Sequence, residues 1–183
     1  MEWLIEFRRS AGELSSAKPL VATLATVDAG GSPRARSVVL RHIGGDGSLW
    51  FVSDARSDKN AQLFERNEAE IVVWLPETRE QFRFFGTVDR LGAAATGGMR
   101  LEIWRQLSDT SRALFFWPAP GTPRTQEDAA FAATVDAATA PPGTFETLFL
   151  EPTRVEHLRL LTHPHQRRRW RIENGWGREE LNP

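Results

Sequence analysis

The segment Arg34–Arg41 carries the residue types best suited to hold an anion. Arg34 and Arg36 fall on one face of an extended chain, because side chains alternate along a strand. Val38 and Leu40 continue the same row, so a cationic end adjoins an apolar surface. A guanidinium can grip a phosphate or carboxylate through two parallel hydrogen bonds, and the segment therefore indicates a local anion site.

A second basic cluster, Asp54–Lys59, follows one predicted strand later. Arg56, Ser57 and Lys59 gather at the start of a predicted helix, where free backbone N–H groups and the helix dipole favour an anion. If the two clusters face each other, they would hold a phosphate dianion. The alternative is that both are solvated charges, at an edge strand and at a helix cap, and spacing alone does not decide between the two.

Two patterns near the C-terminus have a weaker chemical meaning. His163 and His165 could ligate a metal ion if His157 joined them, but no acidic residue occupies a clear ligand position, and no metal site is predicted. The run Arg167–Arg171 combines arginines with Trp170, as some nucleic-acid-binding segments do. Strand alternation would split these arginines between two faces, which argues against that function.

The composition limits the classes of protein that fit. The 183 residues suffice for one domain with a sizeable core. The 23 Lys and Arg side chains balance 24 Asp and Glu for a net charge of −1, so no global field favours nucleic acid or an anionic membrane. Cysteine is absent, which excludes disulfides, thiolate metal sites and cysteine nucleophiles. Acidic residues interrupt the apolar start and no apolar run is long enough to span a membrane, so we expect a soluble, cytoplasmic protein without nucleic-acid or membrane partners.

Hydrophobic periodicity divides the chain into strands and helices. We expect one domain, 1–183, with an N-terminal helix and linker at 1–18 and C-terminal strands at 154–183. Gly86, inside a predicted strand, indicates a bulge or a close backbone approach, and Trp117, in a Pro/Gly-rich loop, fits a pocket wall and plain packing equally well. Period-two runs predict strands at 20–27, 34–43, 49–52, 71–75, 81–88, 145–150, 154–161, 168–172 and 176–181, and helical spacing predicts helices at 2–16, 57–67, 99–107 and 126–138.

The order of these elements favours one architecture. Short strands at intervals of about ten residues, with helices inserted between them, are typical of a small antiparallel barrel or sandwich. The usual glycine-rich phosphate loops are absent from the sequence. A nucleotide would therefore be held by side chains on strands.

Four motifs follow one another in a defined order. They are the run Arg36–Arg41, the pair Ser57 and Lys59, the run Arg79–Arg83 leading to Gly86, and the stretch Arg168–Pro183 with Trp176. In this order they resemble the pyridoxamine 5′-phosphate oxidase family, the FMN-binding split β-barrel, and the similarity extends from about Leu20 onward. The resemblance implies a mainly β (α+β) fold, a six-stranded antiparallel split β-barrel of Greek-key topology with peripheral helices.

The resemblance also implies that FMN is the cofactor. The cofactor's phosphate is then assigned to Arg36, Lys59, Ser57 and Arg56. The backbone of the next strand segment would lie along the edge of the flavin ring, because strand N–H and C=O groups project sideways. The residues implied for the ring and the ribityl chain are Ser37, Val38, Val39, Leu40, Phe51 and Val52, the last standing where the family often has a hydroxyl.

A second subunit enters the site by the same resemblance. Gln81 matches the glutamine that reaches the flavin from the second subunit, and its amide offers both a donor and an acceptor to the ring. This implies a homodimer with FMN at the subunit interface. Arg168 is expected to stabilise negative charge on the reduced ring, and Arg41, where the family commonly has lysine, to meet an anionic group of the substrate. These two arginines are the candidate catalytic residues for hydride transfer from a small-molecule substrate to the flavin.

The chain departs from the family pattern at the substrate-binding residues. Leu158 stands where the true oxidases have an aromatic residue, and within His163–Arg169 only Arg168 aligns well with their Arg-x-His-x-Arg motif. Trp117–Gly121 replaces an expected Gln-Ser pair. We therefore predict an FMN-dependent oxidoreductase of unknown substrate that uses pyridoxamine or pyridoxine 5′-phosphate poorly. Two alternatives stay open: a non-catalytic flavin- or haem-binding sensor or storage protein, and a genuine oxidase of those phosphates.

Overall fold

The computed structural model describes residues 1–12, 19–91 and 98–183, so most of the predicted N-terminal linker lies outside the described residues. The described part contains eight antiparallel strands and four α-helices. The strands are β1 (Leu20–Val27), β2 (Pro33–Ile43), β3 (Leu49–Asp54), β4 (Glu68–Leu75), β5 (Glu80–Leu91), β6 (Phe145–Arg159), β7 (Gln166–Arg171) and β8 (Arg178–Leu181). The helices are α1 (Glu2–Ala11), α2 (Asp58–Glu65), α3 (Met99–Gln106) and α4 (Asp109–Ala113).

Six of the strands close into a barrel. They follow the order β3-β2-β1-β4-β5-β6, and β3 pairs with β6 to complete the circle. The strands β7 and β8 extend the sheet beyond β6. After the β1–β2–β3 meander the chain returns to place β4 beside β1, which is a Greek-key connection. The predicted six-stranded split barrel is confirmed.

The sequence predicts two strands at 145–150 and 154–161, but the structure has one continuous strand, β6. Pro152 lies opposite Gly86, where the register between β5 and β6 shifts. A bulge releases that position from the ladder of hydrogen bonds, so a proline is tolerated there. A Cβ on Gly86 would overlap the backbone of Glu151 and Pro152, which confirms the expected close backbone approach.

Two helix predictions differ from the structure. The helix expected at 126–138 is wrong, because this segment contains only the 3-10 turn Asp128–Ala130. Alanine-rich composition favours a helix only weakly, and tertiary contacts can override it. Here Trp117 Nε1 donates to the carbonyl oxygen of Ala132 at 2.8 Å, a contact that holds the segment in an irregular conformation. Conversely, the segment after Ser108, which lies beyond the helix predicted at 99–107, forms the short helix α4 with Ser108 as its cap. Within the described ranges no helix is long and apolar enough to cross a membrane.

The helix α1 closes one end of the barrel. Trp3 and Phe7 lie four residues apart on one helix face, are fully buried, and pack against Phe82 and Phe84 of β5. Burial of each such side chain stabilises the fold by about 1.5–3 kcal/mol. A second apolar cluster around Trp104 lies between α3 and β6 and supports the irregular segment that follows. The barrel surface beside β2 and β3 is left open between these two clusters.

Candidate functional site

Two clefts meet at Lys59, beside β2 and the start of α2. The larger has a volume of about 580 Å³ and the smaller a volume of about 400 Å³. Lys59, Pro120 and Gly121 line both clefts, so the two are ends of one elongated depression. Small-molecule sites in proteins typically measure roughly 300–1,000 Å³. This depression is the candidate site.

The smaller cleft is cationic. Arg36 projects into it from β2, and its guanidinium donates to Thr26 Oγ1 at 2.5 Å and to Gln62 Oε1 at 2.8 Å. Lys59 lies in the first turn of α2, and its Nζ donates to Ser57 Oγ at 3.0 Å. These neutral partners hold both cations in place but do not neutralise them, and Asp58, which lines the same cleft, compensates their charges only in part.

The charges of this pair depend on each other. Among the described residues neither Arg36 nor Lys59 forms an ion pair. Burial lowers the pKa of the Lys59 ammonium and the nearby Arg36 lowers it further, while Asp54 and Asp58 act in the opposite direction. Burial also lowers the pKa of Arg36, while Asp58 acts in the opposite direction. An anion between the two cations would favour their charged forms, so this end of the depression suits negative charge.

Arg56, expected at the phosphate, makes different contacts. Its guanidinium donates to both carboxylate oxygens of Asp54, at 2.9 and 2.6 Å. It also donates to the carbonyl oxygen of Trp117 at 2.9 Å. The hydrogen bonds to Asp54 raise the pKa of Arg56, so its charge is compensated within the chain. Arg56 does not line the smaller cleft that Arg36 and Lys59 share.

The strand β2 divides its residues between the core and the larger cleft. Ser37, Val39 and Arg41 line the cleft and alternate with Val38 and Leu40, which are buried. Val38 also reaches the cleft wall, whereas Leu40 lies in the barrel core. Leu40 can therefore face a ligand in the cleft through its backbone and not through its side chain. The contact predicted along the edge of the flavin ring needs only its backbone.

The strand β3 forms the neighbouring wall. Val52 lines the larger cleft, but the Phe51 side chain is fully buried in the core, as expected from alternation. On the wall formed by β2, Nε of Arg41 is buried and has no hydrogen-bond partner among the described residues. Burial lowers the pKa of the Arg41 guanidinium. The cleft therefore combines apolar residues with the Arg41 guanidinium, whose buried Nε an anionic group could satisfy.

Residues 117–125, here called the strap, form the outer wall of the depression. Every residue of the strap lines the larger cleft, and Pro120 and Gly121 also line the smaller one. Trp117 packs edge-on against Phe131, with ring centroids 5.4 Å apart. From the sequence, Trp117 fitted a pocket wall and plain packing equally well. In the structure it both lines the larger cleft and packs against Phe131. The strap as a whole was not predicted as part of the site, although its Pro/Gly-rich composition was the available signal.

Gln81 lies in a different cavity, of about 140 Å³. Arg83, Leu158 and Arg167 line it as well, and it shares no lining residue with the two clefts. The register pairs Gln81 with Leu158 and Leu158 with Arg167, so the three side chains share the outer face of the sheet. Within one chain Gln81 is therefore not brought to the residues around Lys59.

Arg168 points to the opposite face of β7. Its guanidinium pairs with Glu6 of α1 at 2.8 Å and with Glu180 of β8 at 3.3 Å. Glu6 also contacts Nδ1 of the buried His157 at 2.9 Å, and burial lowers the pKa of that imidazole. The structure thus places Arg168 in a network that joins α1 to the barrel. Strand alternation puts Arg167, one residue earlier, beside Gln81.

The two weaker patterns have structural explanations. Within residues 1–12, 19–91 and 98–183 no group of three His, Asp or Glu side chains is arranged to hold a metal ion. His163 and His165 are exposed, while His157 is buried beside α1. Each charged side chain of the arginine run has a carboxylate partner: Arg167 with Glu156, Arg168 with Glu6, Arg169 with Glu179 and Arg171 with Glu173.

The donor set of the depression fits FMN. The two cations in the smaller cleft, neither of which forms an ion pair among the described residues, suit a phosphate dianion, which accepts charge-assisted hydrogen bonds. The larger cleft offers strand backbone and apolar side chains to a flat ring, and the two clefts are continuous at Lys59.

Comparison with known proteins agrees with this geometry. Residues 1–92 match the family model "Pyridoxamine 5'-phosphate oxidase, FMN-binding domain". Pyridoxine/pyridoxamine 5'-phosphate oxidase 2 of Arabidopsis thaliana is 29% identical over 145 residues, which cover 76% of this chain and 73% of that protein. Pyridoxine/pyridoxamine 5'-phosphate oxidase of Azotobacter vinelandii is 28% identical over 192 residues, which cover 100% of this chain and 86% of that protein.

Solved structures extend the likeness to the whole chain. A pyridoxamine 5'-phosphate oxidase-related, FMN binding protein from Nostoc punctiforme superposes with a TM-score of 0.83 at 32% identity, covering 100% of this chain and 96% of that one. PhzG from Burkholderia lata superposes with a TM-score of 0.78 at 22% identity, which shows the fold alone, and covers 100% of this chain and 89% of that one. The barrel and its cleft along β2 define the class, a split β-barrel of the FMN-binding type. The chain belongs to the pyridoxamine 5′-phosphate oxidase family, as its ordered motifs predicted.

Proposed function

We propose that the protein binds FMN across the two clefts, with the phosphate in the smaller one. Arg36 and Lys59 supply the positive charge, and Ser57 holds the Lys59 ammonium in place. The observation that carries this proposal is that both cations lack a carboxylate partner among the described residues although they are partly buried at one end of a long cleft. Such an arrangement costs the folded chain free energy, which a phosphate dianion offsets.

The larger cleft is proposed to receive the flavin ring. Ser37 and Val39 face it from β2, and Val52 faces it from β3. The backbone of β2 supplies donors and acceptors to the ring edge, while these side chains exclude water from the ring. When bound, FMN supplies the redox chemistry, and the chain supplies position and electrostatics. The protein is then an FMN-dependent oxidoreductase.

A titration tests cofactor binding directly. The purified protein, freed of bound chromophores, is titrated with FMN, riboflavin and haem, and visible absorbance reports the bound species. The proposal predicts one FMN per chain and weaker binding of riboflavin, which lacks the phosphate. Failure to bind FMN, or preference for haem, would overturn the cofactor assignment while leaving the family and fold intact.

The site is proposed to be completed by a second copy of the chain. The register pairs Val39 with Val21 and Trp74 with Gln81, and Val21 and Trp74 line one cavity where β1 and β4 meet. These four residues form a row around the outer face of the barrel, because the β1–β4 register, extended by two residues from Thr23 and Val72, places Val21 beside Trp74. Neighbouring strands lie about 4.8 Å apart, so Val39 and Gln81 are separated by about 14 Å along the sheet. The two residues between them, Val21 and Trp74, are apolar and exposed. An exposed apolar patch of this kind favours a protein contact.

Two-fold symmetry would bring the ends of this row together. If two copies meet face to face about an axis that is parallel to the strands and passes through the Val21–Trp74 patch, each end of the row faces the other end in the second copy. The partner subunit's Gln81 then lies over Val39 in the larger cleft. Arg167, which shares the cavity of Gln81, would arrive with it. We therefore propose Arg167, not Arg168, as the second-subunit arginine near the ring.

Charge placed in this patch should separate the two copies. We expect Trp74→Glu to be monomeric and to bind FMN roughly tenfold more weakly, because the contacts from the second copy are lost. Phe64→Glu is the matched control, since Phe64 is also an exposed aromatic residue but lies on α2, away from the row. Sedimentation and FMN titration of both variants decide the point. A Trp74→Glu dimer with unchanged affinity contradicts the proposed interface.

The substrate is proposed to carry an anionic group. The guanidinium of Arg41 is the cation of the larger cleft that has an unsatisfied buried nitrogen, and it lies about 17 Å along β2 from Arg36. It is thus too far from the phosphate cluster to serve the same anion. Bound flavin should be bleached when the FMN-loaded protein is mixed without oxygen with a suitable anionic reductant, and Arg41→Met should slow that reaction.

The choice of reductants separates the alternatives. Pyridoxamine 5′-phosphate, pyridoxine 5′-phosphate and the reduced nicotinamide cofactors are the first compounds to mix. Rapid turnover of either vitamer would identify a genuine oxidase of those phosphates. If no reductant bleaches the flavin, the protein is a flavin-binding sensor or storage protein, and the oxidoreductase assignment fails.

A further inference from the structure

We propose that Arg56 is a positioning residue that ties the strap (residues 117–125) across the bound cofactor, and that it is not a ligand of the phosphate. This inference rests on the proposed function, that FMN lies across the two clefts. It goes beyond that proposal because it gives the strap a role in retaining the cofactor. It also removes Arg56 from the phosphate site.

The carboxylate of Asp54 fixes the direction of the Arg56 side chain. Asp54 Oδ1 accepts hydrogen bonds from both the backbone N–H and Nε of Arg56, at 2.8 and 2.9 Å. Asp54 Oδ2 accepts from Nη2 at 2.6 Å. The same Nη2 reaches the carbonyl oxygen of Trp117 at 2.9 Å, a residue 61 positions away in the chain. The ion pair therefore holds the guanidinium against the first residue of the strap.

The strap has few other links to the barrel. Trp117 Nε1 bonds to Ala132, and Thr122 bonds to Ala119 within the strap, so both contacts stay inside the irregular segment. Among the described residues, the bond from Arg56 is the hydrogen bond that joins the strap directly to the β3–α2 region. Its loss should free the strap to open more often.

The strap crosses the junction of the two clefts. Pro120 and Gly121 line both clefts together with Lys59, so a ligand that fills both ends passes beneath them. Dissociation of such a ligand requires the strap to lift. Because Arg56 holds the strap without touching the smaller cleft, it should control the rate of release and leave phosphate recognition unchanged.

A comparison of two flavins separates the two possible functions of an arginine here. Riboflavin lacks the phosphate of FMN but has the same ring and ribityl chain. A residue that binds the phosphate determines the ratio of the FMN and riboflavin affinities. A residue that holds the strap changes the dissociation rates of both flavins by the same factor.

The experiment uses the full chain loaded with FMN or with riboflavin and measures dissociation rates by trapping the released flavin. Arg56→Met should speed release of both flavins by about tenfold, the effect of one lost charge-assisted hydrogen bond, with an unchanged affinity ratio. Arg36→Met should reduce the affinity ratio instead. Arg66→Met, at the other end of α2, is the control and should change neither quantity. If Arg56→Met reduces the affinity ratio, or leaves both release rates unchanged, the proposal is overturned.

A second variant and a second measurement cover the case in which Arg56→Met does not fold. Asp54→Asn keeps the guanidinium but removes the charge that directs it, and it should also speed release of both flavins. Hydrogen exchange of the backbone amides of the strap, measured without any flavin, should be faster in either variant than in Arg66→Met. Equal exchange would contradict the tie to Arg56. If the wild-type protein bound neither flavin, the proposed function would fail, and the exchange measurement would still decide whether Arg56 holds the strap.

Discussion

The two sides of the barrel carry similar cations in opposite electrostatic settings. On the β5–β6–β7 side most arginines face a carboxylate, as in the pairs of Arg83 with Glu70 and Arg167 with Glu156, at 2.8 and 2.7 Å, while Arg90 stacks on Phe64. On the β2–α2 side Arg36 and Lys59 contact only neutral oxygen atoms. The residue types are alike on the two sides, and the partners differ.

The presence or absence of a carboxylate partner distinguishes cations that stabilise the fold from cations that are available to bind an anion. A cross-strand ion pair neutralises its own charge and contributes modestly to stability, typically up to about 1 kcal/mol when exposed. Arg36 and Lys59 are partly buried, so they lose hydration and repel each other, and the nearby Asp58 offsets this only in part. Binding of an anion would lower the free energy of this charged site. The number of arginines does not distinguish the two sides of the barrel, but the carboxylate partners of those arginines do.

The largest expected effect is on cofactor affinity. The double variant Arg36→Met, Lys59→Met should bind FMN at least about a hundredfold more weakly, because each charge-assisted contact contributes about 1.5–3 kcal/mol. Arg169→Met, which removes an arginine already paired with Glu179, should leave the affinity unchanged. Titration with FMN followed by flavin fluorescence measures both. An equal loss in the two variants would mean that the contrast between the two sides has no functional meaning.

The next effect should appear in stability and not in binding. Arg168→Met leaves the buried Glu6 without its cationic partner, and we expect the free energy of unfolding to fall by about 1–3 kcal/mol. Arg178→Met is the matched control, since its pairs with Glu2 and Glu180 are more exposed, and it should cost less than about 1 kcal/mol. Urea unfolding measures the change. FMN affinity should stay within about twofold for both variants. A stable Arg168→Met protein that has lost FMN would instead support the contact predicted from sequence.

The smallest effect is a pH dependence. Burial and the neighbouring Arg36 lower the pKa of Lys59 below its ordinary value of 10.5, so the ammonium in the flavin-free protein loses its proton at a lower pH than usual. FMN affinity should therefore fall as the pH rises from neutral towards that lowered pKa, by up to roughly tenfold. Lys59→Arg keeps its charge throughout, so its affinity should not show this decline. Parallel declines in the two proteins would assign the titration to the flavin or to another residue.

The sequence predicted the barrel well because its signals are local. Alternation and turn residues define strands such as β1, which lies at Leu20–Val27 as expected, and the close approach at Gly86 was expected from one glycine inside a strand. The helix predicted for the alanine-rich segment 126–138 was wrong, because contacts with residues distant in sequence outweigh the helix propensity of alanine. Such contacts are invisible to periodicity.

The sequence predicted some contacts of the candidate site and not others, for two physical reasons. The family resemblance assigned Arg56 to the phosphate, which stays a prediction, but its contact with Trp117, 61 residues away, could not be predicted from local sequence. Arg168 was expected near the ring, whereas a shift of one residue along a strand reverses the face, so Arg167 is the neighbour of Gln81. Arg36 and Lys59 come together in the smaller cleft, as the two basic clusters suggested.

A crystal structure of the protein loaded with FMN would locate the cofactor. We expect the phosphate between Arg36 and Lys59, the ring against Ser37 and Val39, and Gln81 reaching the ring from a second copy of the chain. A phosphate bound anywhere else, or a ring outside the larger cleft, would contradict this expectation.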